Sequence, residues 1–299
     1  MSIPFAIVDA FCLPGQDFSG NPAAVCLLTH DDDISDKTKA KIGAEFNLSE
    51  TSFVSTSWNK STARRSDKDF TLRWFTPEGE IALCGHATLA SARFLFSKMK
   101  NDCNDKETTI YFETKYKGSL CATMHWDSGR ISINLPLTPV KEITGNDLEF
   151  VKYLVEPFDV SIVHSAYYVP STKYLFVRLN DKCGEQGLID IKPNYHRLCD
   201  VEGENPVIGA IVSVKGSGDI HFYSRFFAPW LGVNEDPVCG SAHCALMSYW
   251  PTELKSNILL AKQCSKRGGR LHCSIRESSP DRVYLEGDTK IFSHGELLL

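Results

Sequence analysis

Two short stretches of this chain carry the same residue types in the same order. Phe75-Thr76-Pro77 runs on to Leu83-Cys84-Gly85-His86-Ala87-Thr88, and Phe227-Ala228-Pro229 runs on to Val238-Cys239-Gly240-Ser241-Ala242-His243. Each is an aromatic-x-Pro turn, an acidic stretch, and then Cys-Gly opening an apolar segment. Two copies predict two similar half-domains facing a shared cleft, each aiming a cysteine and a helix N-terminus into it. Glycine lets backbone come close to a ligand, and the free N–H groups of a first helical turn hold anions. Gly85 and Gly240 are thus candidates to hold a substrate carboxylate. A thiol at a helix N-terminus has its thiolate favoured, which would make Cys84 and Cys239 usable bases. Taken singly, each Cys-Gly reads better as a small buried hydrophobe beside a tight turn. The pairing is what points to a ligand site.

Glu50 follows Asn47-Leu48-Ser49 at the lip of a strand, among Leu48, Thr51 and Phe53. Burial there would raise its pKa and suit it to take and return protons near neutrality. From composition alone a solvated strand-end glutamate is the commoner case. His86 fits a proton donor, an oxyanion partner or a core histidine. Asp236, before Pro237, could orient a substrate amine or relay a proton, and it also suits a plain turn. Cys239, His243 and Cys244, like His272-Cys273, lack the spacing of zinc sites, so no metal is expected. No phosphate-cradling glycine loop follows a strand and no nucleophile elbow is present, so no nucleotide cofactor or serine hydrolysis is expected.

These residues need elements to hold them. Pro4–Ala10, Ala23–Leu28, Thr51–Ser55, Phe70–Phe75, Thr108–Thr114, Gly118–His125 and Arg130–Leu135 read as strands. Leu175–Leu179, Val207–Val214, Arg270–Arg276, Val283–Glu286 and Lys290–Ser293 continue the series. Ser35–Phe46 has helical spacing with Ser35 as cap. Ala82–Met99 and Ser241–Tyr249 are helices apolar on most sides, as buried central helices are. Pro139–Glu156 is a linker or a peripheral helix. Many short strands with one apolar helix per half predict an α+β fold, not a doubly wound parallel sheet.

The chain has 299 residues, enough for two domains with cores of their own. A net charge of −5 gives no case for nucleic acid or an anionic membrane. Arg64-Arg65, beside Asp67 and Asp69, reads as a solvated loop. No apolar run approaches the ~20 residues that span a bilayer. Eleven cysteines, an odd count without disulfide-like spacing, fit a reduced compartment. With no signal-peptide layout at Met1, a cytoplasmic protein is expected.

Together the motifs resemble the PhzF-like family, the phenazine-biosynthesis branch of the diaminopimelate-epimerase-like superfamily. The likeness rests on Asp9-Ala10-Phe11, Gly20-Asn21-Pro22-Ala23-Ala24-Val25, Asn47-Leu48-Ser49-Glu50-Thr51, the Phe75 to Thr88 segment and Glu235-Asp236-Pro237-Val238 with Gly240-Ser241-Ala242-His243. Tyr223 to Trp230 and Ser265 to Gly269 look most like the family's animal members. The resemblance implies two pseudo-symmetric domains, each an antiparallel barrel around a central helix, with the active site between them. Residues 1–118, completed by about 288–299, would form one domain and 119–287 the other. It implies cofactor-independent isomerisation, with Glu50 as acid/base, His86, Asp236 and Ser241 as polar site residues, and Gly85, Gly240 and Asn21 binding substrate. For animal members it also implies a WD-repeat protein partner. A homodimer is left open.

One position departs from the pattern. Cys239 stands where the family usually has Thr, which restores the paired cysteines of the superfamily's racemases. The leading reading is a proton-moving isomerase of a small carboxylated substrate. A two-base racemase or epimerase using Cys84 and Cys239 is the second. The third is a non-catalytic partner-binding protein with a relict cleft. Substrate choice is expected to lie in the loops Ser55–Asp69 and Ser161–Tyr174.

Overall fold

The chain in the computed structural model, which describes residues 1–57, 69–99, 105–143, 149–203 and 205–299, divides into two units. One is Met1–Leu135 with Tyr284–Leu299, the other Pro136–Val283. In the first unit β1 (Ser2–Cys12) pairs antiparallel with β2 (Asn21–His30). The helix α1 (Asp36–Phe46) then crosses over and returns β3 (Glu50–Ser57) parallel to β2; a parallel neighbour needs such a crossover. Ser35 caps α1 as its sequence suggests, its Oγ accepting from the Thr38 N–H at 3.1 Å.

From β3 the chain runs to its antiparallel neighbour β4 (Asp69–Thr76), turns through β5 (Gly79–Ile81) and enters α2 (Gly85–Lys98). Then β6 (Glu107–Thr114) lies parallel to β4, β7 (Gly118–His125) antiparallel to β6, and β8 (Arg130–Pro136) antiparallel to β7. The C-terminal strand, Ser279–Leu298, pairs with both β1 and β8 and closes the ladder. Inside, α2 packs on β1, β2, β3 and β7. From Gly85 to Phe96 every residue of α2 but Arg93 is buried. A helix this apolar has no solvent face, so strands must cover it on all sides.

The second unit repeats the plan. After β9 (Lys141–Glu142) and α3 (Glu149–Leu154), β10 (Val163–Val169) pairs antiparallel with β11 (Tyr174–Leu179). Two helices, α4 (Gly184–Asp190) and α5 (Tyr195–Asp200), cross over to β12 (Gly209–Lys215), parallel to β11. Next come antiparallel β13 (Phe222–Ala228), β14 (Val233–Asp236) and α6 (Gly240–Leu254). Then β15 (Ile258–Gln263) lies parallel to β13, and β16 (Gly269–Arg276) antiparallel to β15. The strand that closes the first unit, β17 (Ser279–Leu298), follows. Strand for strand this is the order β1–β7, with α6 in the place of α2. The repeated Phe-x-Pro and Cys-Gly motifs therefore mark one structural unit used twice.

Three expectations change. The boundary placed after Gly118 falls after Leu135, because β7 and β8 extend the first unit's own ladder. Half of Ser161–Tyr174, expected as a loop, is β10, paired with β11 across one bulge between Val163 and Ser165. The two short strands read at Val283–Glu286 and Lys290–Ser293 are one long strand, β17. Most of the other expected loop, with Arg64-Arg65, lies outside the described residues. No helix of the described residues is long and apolar enough to cross a membrane.

Candidate active site

Glu50 is the first residue of β3 and Cys84 the N-cap of α2, two residues before His86. These elements bring the three side chains together inside the first unit. Glu50 Oε2 lies 3.0 Å from His86 Nε2, and Cys84 Sγ lies 3.4 Å from His86 Nδ1. Asn21 Nδ2 is 3.1 Å from Nδ1, and Ser49 Oγ 3.3 Å from Nε2. The imidazole is thus gripped on both edges. Asn21 is fully buried at 0% exposure and holds the ring.

Its position depends on Gly20. That residue has φ +77°, and a Cβ there would stand 2.4 Å from the Ala10 carbonyl oxygen. Gly20→Ala must therefore shift the β1–β2 turn that delivers Asn21. A loss of about 1–3 kcal/mol in urea unfolding is expected.

The charges differ from the sequence expectation. Burial alone would raise Glu50, but the charge of His86 and its contacts with His86, Ser49 and Cys84 outweigh it and hold the carboxyl below its usual value. Burial opposes charge on His86, yet the sulfur of Cys84 and the carboxylate of Glu50 lift it well above an ordinary histidine. Cys84 goes the other way from expectation: burial first, then the Glu50 charge, push its thiol up. Enclosure outweighs the helix N-terminus there. Glu50 and His86 thus favour each other's charged forms, while burial works against charge on Cys84. Glu50 Oε2 is buried without a hydrogen bond of good geometry, so its pairing with the ring is ionic.

Glu50, Cys84 and His86 set ligand-type atoms within 4.8 Å of one another. The ring, however, faces the sulfur with one nitrogen and the carboxylate with the other. The three groups can therefore share protons among themselves.

In the second unit Cys239 is the N-cap of α6, and Gly240 its first residue. Cys239 Sγ lies 3.2 Å from Ser241 Oγ, which lies 3.1 Å from the Tyr174 hydroxyl. Asp236 ends β14; its carbonyl accepts from Gln263 Nε2 at 2.7 Å, and Gln263 Oε1 accepts from Cys239 N–H at 3.0 Å. Tyr174 and Gln263 were not read from the sequence. An amide closing an apolar strand was the available signal for Gln263, since a buried amide needs partners. His243 is spent locally: Nδ1–H donates to the Cys239 carbonyl at 2.8 Å, and burial pushes the ring down to about 4.

The repeat also shows what the second unit lacks. Thr51 pairs with Phe75, and Ala210 with Phe227, the matching aromatic of the second motif. One residue earlier, Glu50 pairs with Ala23 and Gly209 with Tyr174. The position of Glu50 is therefore held by Gly209. A Cβ there would stand 2.7 Å from the Phe226 ring and 2.9 Å from the Tyr174 ring. Aromatic rings cover the place that carries the carboxylate in the first unit.

Two α+β units, each strands wound about one buried helix, make up a diaminopimelate-epimerase-like fold. A PhzF-family phenazine biosynthesis protein of Enterococcus faecalis has this structure, with a TM-score of 0.80, 34% identity and 100% of both chains covered. The chain belongs to the phenazine biosynthesis-like (PhzC-PhzF) family, whose model matches residues 8–295. It is 41% identical to the human phenazine biosynthesis-like domain-containing protein over 99% of each chain. It is 38% identical to an uncharacterized isomerase of Halalkalibacterium halodurans over 100% of each chain.

Proposed function

We propose that this protein is an isomerase that moves a proton on a small carboxylated substrate, with Glu50 as the general base and acid. One observation carries the reading: the repeat holds a carboxylate at Glu50 and glycine at the equivalent Gly209. Cys84 and Cys239 are matched at the two helix N-caps, but Glu50 beside His86 has no counterpart in the second unit, which is the pattern of a single acid/base. The depressed carboxyl of Glu50 keeps it ionised and ready to accept a proton. His86 balances its charge before the reaction and stabilises charge on the substrate as the proton leaves. The N–H groups opening α2 at Gly85 suit the substrate carboxylate. The related proteins named as isomerases support the reaction class.

The two-base reading with Cys84 and Cys239 is weaker, since the Cys84 thiol is buried and pushed up. The test is incubation of the protein in D2O with a panel of amino and hydroxy acids, followed by mass spectrometry. The expected result is uptake of deuterium at the carbon beside the carboxylate in at least one compound class. No uptake in any class would overturn the isomerase reading and favour a partner-binding protein.

A further inference from the structure

We propose that Arg73 and Arg225 are positioning residues for the active site. Each forks the glutamate that stands four residues before its unit's Cys-Gly, and so fixes where the first turn of α2 or of α6 comes to rest. The proposal deepens the isomerase reading and rests on it for the work those two turns do. It also gives a task to the acidic stretch that both copies of the motif carry. Arg73 donates from Nε to Glu80 Oε1 at 2.7 Å and from Nη2 to Oε2 at 2.9 Å. Arg225 donates from Nε to Glu235 Oε1 at 2.7 Å and from Nη2 to Oε2 at 3.0 Å. The same atoms meet in both units. Each arginine stands two residues before its motif's phenylalanine. The guanidinium lies 5.3 Å from the centre of the Phe75 ring in one unit and 4.7 Å from that of Phe227 in the other. Both arginines are 8% exposed.

The remaining nitrogen, Nη1, ties each fork to a crossover helix, with different partners in the two units. In the first it donates to Asp36 Oδ1 at 2.6 Å, at the start of α1. In the second it donates to the carbonyls of Leu188 at 3.0 Å, within α4, and of Ile191 at 2.7 Å, just past its end. The fork is what the units share, and it is the arm that reaches the strand running into Cys-Gly. A two-point bond fixes angle as well as distance, so it sets how β5 and β14 enter their helices. Side chains alternate along a strand, so drawing Glu235 to Arg225 turns the neighbouring Asp236 to the opposite face. The Asp236 carbonyl accepts from Gln263, whose Oε1 accepts from the Cys239 N–H. Fork, amide and N-cap form one connected chain. In the first unit Glu80 leads through Ile81 to Cys84, the N-cap two residues before His86.

Two conservative changes separate position from charge. Aspartate keeps the charge and shortens the arm by one methylene; glutamine keeps the arm and removes the charge. On a substrate found by deuterium uptake, Glu235→Asp should lower kcat by about 10- to 10²-fold with KM within about threefold, the effect of a small misplacement made away from the chemistry. Glu235→Gln should keep kcat within about threefold. Urea midpoints should run the other way, with Glu235→Gln the lower, because it leaves a buried guanidinium without its counter-charge. The same order in kcat and in urea midpoint would show a merely structural pair and overturn the proposal. Glu80 supplies a test that needs no substrate. In Glu80→Asp the His86 titration of the folded protein, read by proton NMR, should move by about half a unit or more, and in Glu80→Gln by less, since only the shorter arm shifts the ring against Glu50. An unmoved titration in Glu80→Asp would overturn the proposal whether or not a substrate is found. A moved titration with no uptake by the unaltered protein would remove the isomerase reading and support the forks as the devices that place the two turns.

Discussion

Glu50→Gln should lower substrate deuterium uptake by about 10²- to 10⁴-fold, the usual contribution of a placed general base. The carboxamide has the same shape, so the β3 pairing and the walls of the site stay in place. What disappears is the proton acceptor. The His86 ring also loses the carboxylate that helps hold it charged, so its titration should fall toward an ordinary histidine. Proton NMR of the His86 ring reads that shift in the absence of substrate. A variant with a normal circular dichroism spectrum and unchanged uptake would remove Glu50 from the chemistry.

The second large effect concerns stability against acid. His243 sits at 0% exposure with its ring pushed from 6.5 down to about 4 by burial. A histidine depressed on folding binds its proton more readily in the unfolded chain. Its contribution is fully present above pH 6.5 and is lost as pH falls toward 4. The shift corresponds to about 3 kcal/mol between those limits. His86 has the opposite sign: raised on folding, it stabilises below pH 6.5 and loses that contribution as pH rises through its folded value. Asp36, drawn down to about 2 first by its hydrogen bond to Arg73, contributes above about pH 4 and loses it between there and 2. Urea midpoints should thus fall steadily from pH 6.5 to 4. His243→Gln, whose amide can still reach the Cys239 carbonyl, should flatten that stretch. An equal slope in the variant would show that other groups drive the acid response.

Much of this architecture is legible in the residues because the repeat is written in side chains with strong local meaning. Phe-x-Pro turns, Cys-Gly caps and all-apolar helices mark α2 and α6 and the repeat that leads into them, while β13, β14 and β15 do not stand out in the residues. Ser35 announces α1, and β7 begins and ends where its alternation does. By contrast β10 was missed, because His164 and Ser165 blunt its pattern and it exists through its ladder with β11. The interior of β17 looked like a break because of Gly287 and Asp288, yet Gly287 is there to admit the Phe11 ring, 2.5 Å from where a Cβ would stand. In the site, Glu50 and His86 could be named from motifs. Their charge states could not, since the sign of the Glu50 shift depends on a ring 36 positions away. The correspondence of Glu50 with Gly209 needed the strand register, because nothing near Gly209 resembles Asn47-Leu48-Ser49.

The most direct measurement is deuterium uptake by Glu50→Gln and Cys239→Ala, compared side by side on the same substrate. An asymmetric site predicts that Glu50→Gln loses nearly all uptake while Cys239→Ala stays within about tenfold of the unaltered protein, well short of the loss of a general base. Loss of uptake in Cys239→Ala with full uptake in Glu50→Gln would contradict the account and restore the two-cysteine mechanism.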